Sequence, residues 1–275
     1  VKGSGMSIFK DEINLITADF SITPGIVAIS SDFEMNEDKP HSGDINTLYI
    51  YSENPVAEDL RNEIARRYCH NFLTGKCPDE IIDFWTLKTS GKELELRFRS
   101  PMWLMGELRS ILVNYEAKAG YTTCEWHKLM NSYALFDPIE WFEDLKESSD
   151  VPYPEGLKTA ILRKNLYLLK GCRHWGYSRL KRALHRADIA EVNITISDML
   201  CSYFDIIFAF NNVTHPGRKN MIENAKVYCG KLPHNFEEDV KELILSVSWM
   251  SGIITERAKI LLDRLEEMLK GDAEK

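Results

Sequence analysis

Two pairs of polar residues stand at the ends of two short apolar runs. Ser30-Ser31 closes Ile26-Val27-Ala28-Ile29, and Asp44-Ile45-Asn46 leads into Leu48-Tyr49-Ile50-Tyr51. Both runs are rich in β-branched and aromatic residues and are bounded by Gly, Asp, Asn and Pro, so both read as strands. Alternation along the second puts Asp44 and Asn46 on one face and Ile45 on the other. A turn of small residues offers backbone N–H groups and hydroxyls to a phosphate. Paired side-chain oxygens on the next strand are hard ligands of the kind Mg²⁺ takes. Together they are suited to holding a nucleotide's phosphates against a cation.

The stretch Gly25 to Tyr51 resembles the signature of the nucleotidyltransferase superfamily typified by kanamycin nucleotidyltransferase and DNA polymerase β. That signature is an apolar residue, Gly, Gly or Ser, nine to thirteen residues, then Asp, apolar, Asp or Glu, apolar. Here Ser30-Ser31 takes the Gly-Ser place, twelve residues from Asp32 to Gly43 follow, and Asp44-Ile45-Asn46-Thr47 closes the pattern. Ser30 replaces Gly, and Asn46 replaces the second acid. Leu94-Glu95-Leu96-Arg97-Phe98-Arg99 is similar to the family strand that carries a third acid and a downstream Arg. Gly120 through Asp137-Pro138 resembles the helix and Asp-Pro ending that follow. Arg186-Ala-Asp188, Phe208-Ala-Phe-Asn211 and His215-Pro-Gly-Arg-Lys219 match elements of a largely uncharacterised bacterial group with a helical C-terminal half.

The resemblance implies an α+β fold, a nucleotidyltransferase-type mixed sheet with helices, followed by an all-helical C-terminal bundle. It implies Mg²⁺-dependent transfer of a nucleoside monophosphate from an NTP, ATP foremost, to a hydroxyl or amine of a small-molecule acceptor. Asp44 and Glu95 are the implied catalytic residues, with Asp44, Asn46 and Glu95 on the metal. Ser30, Ser31, Asn46 and Lys219 are implied on the nucleotide. Arg186, Asp188, Asn211 and His215 would line a substrate cleft between the two domains, with Lys219 facing it. Asn46 keeps one oxygen for a metal but lacks the negative charge of an acid, which weakens a site normally held by carboxylates. A second function therefore stands beside the first: a catalytically impaired nucleotide- or ligand-binding pseudoenzyme with a regulatory or partner-binding role.

Each residue also has a plainer reading. Glu95 is an outward residue of an amphipathic strand, able to pair with Arg97 or Lys92. Arg186 and Asp188 can form a structural ion pair. His215 to Lys219 is first of all an interhelical turn, where Pro and Gly belong for local reasons. Lys170 to Arg186 is basic, with Trp175 and Tyr177 interleaved. It reads as a solvated helix face or the wall of an anion cleft, and it is the one stretch with the features of an RNA contact.

The elements that must position these residues follow from periodicity. Residues 7–21 and 56–73 have helical spacing, and Glu80–Leu87 and Lys92–Arg99 flank a Thr-Ser-Gly turn as a hairpin. In its second arm Leu94, Leu96 and Phe98 face one way, and Glu93, Glu95, Arg97 and Arg99 the other. Helices are expected from Pro101 to Tyr115 and over 124–135, then over 155–170, 175–186, 189–211, 216–229, 235–248 and 251–270. The composition shift near residue 150 predicts two domains, 6–149 and 150–275. Val1 to Gly5, before Met6, look like residues left by expression cloning.

The chain has 275 residues, 44% hydrophobic and 28% charged, as expected of a soluble globular protein. Its formal net charge of −8 argues against a dedicated nucleic-acid binder, which needs a basic face. No uninterrupted apolar run has the length of a membrane span, and no secretory pattern opens the chain. Six scattered cysteines without a CxxC predict reduced, mostly buried thiols and a cytoplasmic location. Cys69-His70 with Cys77, and Cys172 with His174, match no zinc spacing.

Overall fold

The computed structural model describes residues 3–33, 45–75, 80–247 and 253–273. In chain order the elements are α1 (Gly3–Ser21), β1 (Ile26–Ser31), β2 (Asn46–Ser52), α2 (Glu58–Tyr68), β3 (Cys69–Thr74), β4 (Ile81–Leu87), β5 (Glu93–Arg99), α3 (Pro101–Leu112), α4 (Cys124–Met130), β6 (Tyr133–Phe136), α5 (Trp141–Ser149), α6 (Glu155–Leu166), a π turn (Tyr167–Gly171), α7 (Gly176–His185), α8 (Ile189–Phe210), α9 (Met221–Tyr228), α10 (Phe236–Ser246) and α11 (Ile253–Ala273). The architecture is α+β. It divides into two compact units: Val1–Arg109 with Lys128–Asp150, and Ser110–His127 with Val151–Lys275.

The first unit is built on a six-stranded mixed sheet in the order β3-β4-β5-β2-β1-β6. β2 and β5 run parallel, and every other pair is antiparallel. One face carries the core. Phe9, Ile13, Ile16 and Phe20, spaced along one side of α1, pack with Leu48, Ile50, Leu94, Leu96 and Phe98 of the central strands. Glu12, on the same helix, accepts from the backbone N–H groups of Thr89 (2.9 Å) and Ser90 (3.0 Å), pinning the β4–β5 turn. Arg61 of α2 reaches Asp83 of β4 in a fully buried ion pair.

Two helices of the expected set give way to strands. The helix expected over 56–73 stops at Tyr68, because the chain from Cys69 pairs with β4. Tyr68 and Phe72 suit a helix face as well as a strand, so spacing alone did not decide between them. The helix expected over 124–135 stops at Met130, and β6 pairs with β1. Asp137 lies ahead of α5 instead of ending a helix, and its carboxylate accepts from the first-turn N–H groups of Phe142 (2.9 Å) and Glu143 (3.0 Å).

The second unit is helical and is organised by α8. Asp188 caps it, accepting from the Glu191 N–H at 3.0 Å. Among the described residues α8 alone has the length and apolarity of a bilayer-crossing helix, yet 72% of that stretch is buried within the protein. Its Met199, Tyr203, Ile206, Ile207 and Phe208 form the middle of the core.

Residues 110–127 were expected with the first domain and group with the second unit. A buried polar network holds them there. The Asp205 carboxylate on α8 accepts from the Thr122 N–H (3.0 Å) and hydroxyl (2.7 Å) and from Asn165 Nδ2 (3.0 Å), while Asn165 Oδ1 accepts from the Gly120 N–H (3.1 Å). Buried groups of this kind must find partners, and these have found one another.

Candidate functional site

The face of the sheet opposite the core carries the first unit's charged constellation. Alternation along β5 places Glu93, Glu95, Arg97 and Arg99 there. β2 is in register with it: Thr47 aligns with Glu95, Tyr49 with Arg97 and Tyr51 with Arg99. β1 extends the row, since Ser30 aligns with Tyr49. Asp32, just past β1, accepts from the Thr47 N–H at 2.8 Å, so Asp32 and Glu95 flank Thr47 on its two sides.

Arg99 is the best-anchored charge in this set. Its guanidinium lies between the rings of Tyr49 (4.9 Å) and Trp103 (5.0 Å). Glu80, immediately before β4, bridges the two arginines. Its Oε1 accepts from Arg99 Nε (2.8 Å) and pairs with Nη2 (2.7 Å), and its Oε2 accepts from Arg97 Nη1 (2.6 Å). Arg97 Nε is paired in turn with Glu95. Burial works against the Arg97 charge, but Glu80 and Glu95 more than offset it and raise its pKa. Tyr49 is pushed well above the ordinary phenol range, first by burial and then by the Asp32 charge, with Arg99 opposing.

Within the first unit, the described residues singled out from the sequence divide between the two faces of the sheet: Ser30 and Glu95 on one, Ser31 and Asn46 on the other. Asp44 lies outside the described residues. Asn46 shares the core side of β2 with Leu48 and Ile50, and its amide donates to the Glu93 carbonyl at 3.3 Å. Glu95 is on the opposite face, so the expected convergence of Asn46 and Glu95 on one cation is not formed. Ser31 is also on the core side, aligned with Leu48, and its hydroxyl donates to the Phe33 carbonyl at 2.6 Å instead of pointing at a phosphate. Ser30 is fully buried, and its hydroxyl has no partner among the described residues.

In the second unit the named residues have structural partners. Arg186 pairs with Glu191 and not with Asp188, which is the α8 cap. Asn211 ties the end of α8 to Lys231, donating to its carbonyl and accepting from its N–H, both at 2.8 Å. His215 is fully buried against Tyr121 and Phe208, with ring centroids 4.8 Å away in both cases. Its Nδ1 accepts from the Gly217 N–H at 3.0 Å and lies 3.6 Å from Cys124 Sγ. Burial, with a smaller push from His127, lowers its pKa to about 3, so the ring is neutral. Lys219 is exposed and precedes α9 by two residues; it was expected inside the first helical turn.

Among the described residues, Asn46 and Glu95 are not brought together on one cation. Among those described, no three His, Cys, Asp or Glu side chains are grouped to hold a metal. Glu95 is committed to Arg97, and Asn46 faces away from it. A hollow of about 270 Å³ lies beside Ile45, Phe72, Trp85 and Leu94. Asn71, Thr86 and Glu93 also line it, and it is smaller than the ~300–1,000 Å³ typical of ligand pockets. Glu80, Tyr49 and Trp103 were not singled out from the sequence. The alternation of β5 already placed Arg97 and Arg99 beside Glu95, but nothing local marks Glu80 as their partner.

No protein-family model matches the chain, and no curated protein matches it. Among solved structures it is similar to a nucleotidyltransferase-like protein from Exiguobacterium sibiricum 255-15. The two share 13% identity with a TM-score of 0.46, over 96% of this chain and 75% of that one.

Proposed function

We propose that the protein binds the phosphates of a nucleotide, ATP foremost, on the charged face of its first unit and is impaired in nucleotidyl transfer. The observation that carries this reading is the placement of Asn46 and Glu95 on opposite faces of adjacent strands, with Glu95 held by Arg97. Carboxylates used for transfer chemistry have to meet at one point, and these positions do not. The spacing from Ser30-Ser31 to Asp44-Ile45-Asn46 supports the nucleotide, and the two arginines on the same face as Tyr49 support its phosphates.

The test is calorimetric titration with ATP and GTP, with and without Mg²⁺, run beside a pyrophosphate-release assay over hydroxyl- and amine-bearing acceptors. Nucleotide binding without release is the expected result. Absence of nucleotide binding rules the proposal out. A second reading, an active transferase moving a nucleoside monophosphate to a small-molecule acceptor, has one observation of its own: Asp32 and Glu95 both flank Thr47. Release that disappears in both Asp32→Asn and Glu95→Gln would establish it in place of the first.

A further inference from the structure

The bridge from Glu80 to Arg97 and Arg99 has the form of an occupied anion site. Three guanidinium nitrogens converge on one carboxylate: Arg99 Nε and Nη2 on Oε1, Arg97 Nη1 on Oε2, all within 2.6–2.8 Å. A guanidinium presents five N–H donors in a rigid planar fork that suits carboxylate and phosphate alike. A phosphate group has more acceptor oxygens than a carboxylate, spread tetrahedrally, and so can take more of these donors. Arg99 is already fixed between Tyr49 and Trp103, which lowers the ordering cost of binding. Arg97 is fixed through its Nε by Glu95, leaving its Nη groups on the Glu80 side.

We infer that Arg97 and Arg99 form a binding fork for a di- or triphosphate group, and that Glu80 is the internal anion which that group displaces. Solvent reaches the Arg97–Glu80 edge of the fork, where each side chain keeps 24% of its surface exposed, while Arg99, at 4%, forms its buried floor. Glu80 and Glu95 together neutralise the two arginines, and withdrawal of Glu80 leaves one net positive charge facing the incoming anion. This inference rests on the proposed phosphate binding and assigns it to particular residues. It also makes Glu80 a competitor, so affinity is lowered by whatever fraction of the time Glu80 fills the fork.

The experiment titrates inorganic pyrophosphate and ATP separately, at constant ionic strength, into the full chain and into Glu80→Gln, Glu80→Gln/Arg97→Gln and Glu93→Gln. If Glu80 occupies the fork nine-tenths of the time, its removal raises pyrophosphate affinity about tenfold. The double variant should lose that gain. Glu93→Gln makes the same charge change on the same face of β5 and should not produce it. Equal pyrophosphate affinity in the wild type and Glu80→Gln, both folded by circular dichroism, overturns the inference, as does an equal gain in Glu93→Gln. If Glu80→Gln does not fold, Glu80→Asp, which withdraws the carboxylate by one methylene, is titrated instead under the same criteria. A gain for pyrophosphate without one for ATP keeps the fork and overturns the nucleotide reading.

Discussion

Glu95 lies in register with Thr47 on the neighbouring parallel strand, so its carboxylate and the Asn46 amide leave the sheet on opposite faces. This relationship decides what restoring an acid at position 46 can achieve. Asn46→Asp places a charge on the core side of β2 and removes the donor to the Glu93 carbonyl. The variant should lose about 1 kcal/mol in urea denaturation, the worth of one such hydrogen bond. Any Mg²⁺ affinity it gains should be independent of Glu95. In a double-mutant cycle with Glu95→Gln the two effects should add to within about 0.5 kcal/mol. A larger coupling energy would mean that both side chains share one ion.

The Arg61–Asp83 pair is buried in the first unit. Both residues are fully buried, and among the described residues Arg61 Nε and Asp83 Oδ2 find no partner. Burial raises the Asp83 pKa even with Arg61 beside it. Asp83→Asn strands a buried guanidinium and should cost about 3–5 kcal/mol. The double exchange Arg61→Met/Asp83→Leu should recover most of that loss, because it removes both desolvated charges. Chemical denaturation of the three proteins checks it, and a double variant no better than Asp83→Asn would refute it.

Acid stability of the second unit turns on two buried groups of opposite sign. Burial raises the Asp205 pKa from the ordinary carboxyl range to about 6 and lowers that of His215 from the ordinary imidazole range to about 3. Between pH 4 and 6 the folded protein holds a proton on Asp205 that the unfolded chain has lost, so this group stabilises the fold as pH falls. Over the same range the unfolded chain holds a proton on His215 that the folded protein excludes, so that group destabilises the fold as pH falls. The two slopes nearly cancel, each being about 1.4 kcal/mol per pH unit. Asp205→Asn should therefore expose the His215 slope, and stability should drop by about 1.4 kcal/mol for each unit from pH 6 to 4 relative to its neutral value. Denaturation midpoints across that range, compared with the wild type, test the sign.

Gly120 anchors the 110–127 segment. Its φ is +82°, and a Cβ built on it would stand 2.8 Å from Cys201 Cβ and 3.0 Å from the Cys201 carbonyl. Gly120→Ala thus meets helix backbone as well as a left-handed conformation, which by itself costs about 1–2 kcal/mol. The loss should exceed that figure, and Cys201→Ala should relieve little of it, since the helix carbonyl remains. A cost under 1 kcal/mol, read from thermal unfolding, would show that the segment is not held as described.

The sequence by itself determined the α+β character, the helices of the C-terminal half and the β4–β5 hairpin. Those signals are local: a period of two over Glu93–Arg99, a period near 3.6 along α8, and Gly, Pro and Asp at the breaks. It also determined which β5 residues share a face, and hence that Glu95 stands with Arg97 and Arg99. Tertiary structure alone decided β3 and β6, two edge strands whose short segments become strands only when β4 and β1 supply the hydrogen bonds. It alone decided the face on which Asn46 lies relative to Glu95. β2 and β5 are parallel and are joined through α2, β3 and β4, so no turn between them sets the register, and a shift of one residue would have reversed the result. It likewise brought Glu80 to two arginines, and Thr122 and Asn165 to Asp205. Those pairings join residues far apart in sequence, and the cost of burying a charge without a partner is what selects them.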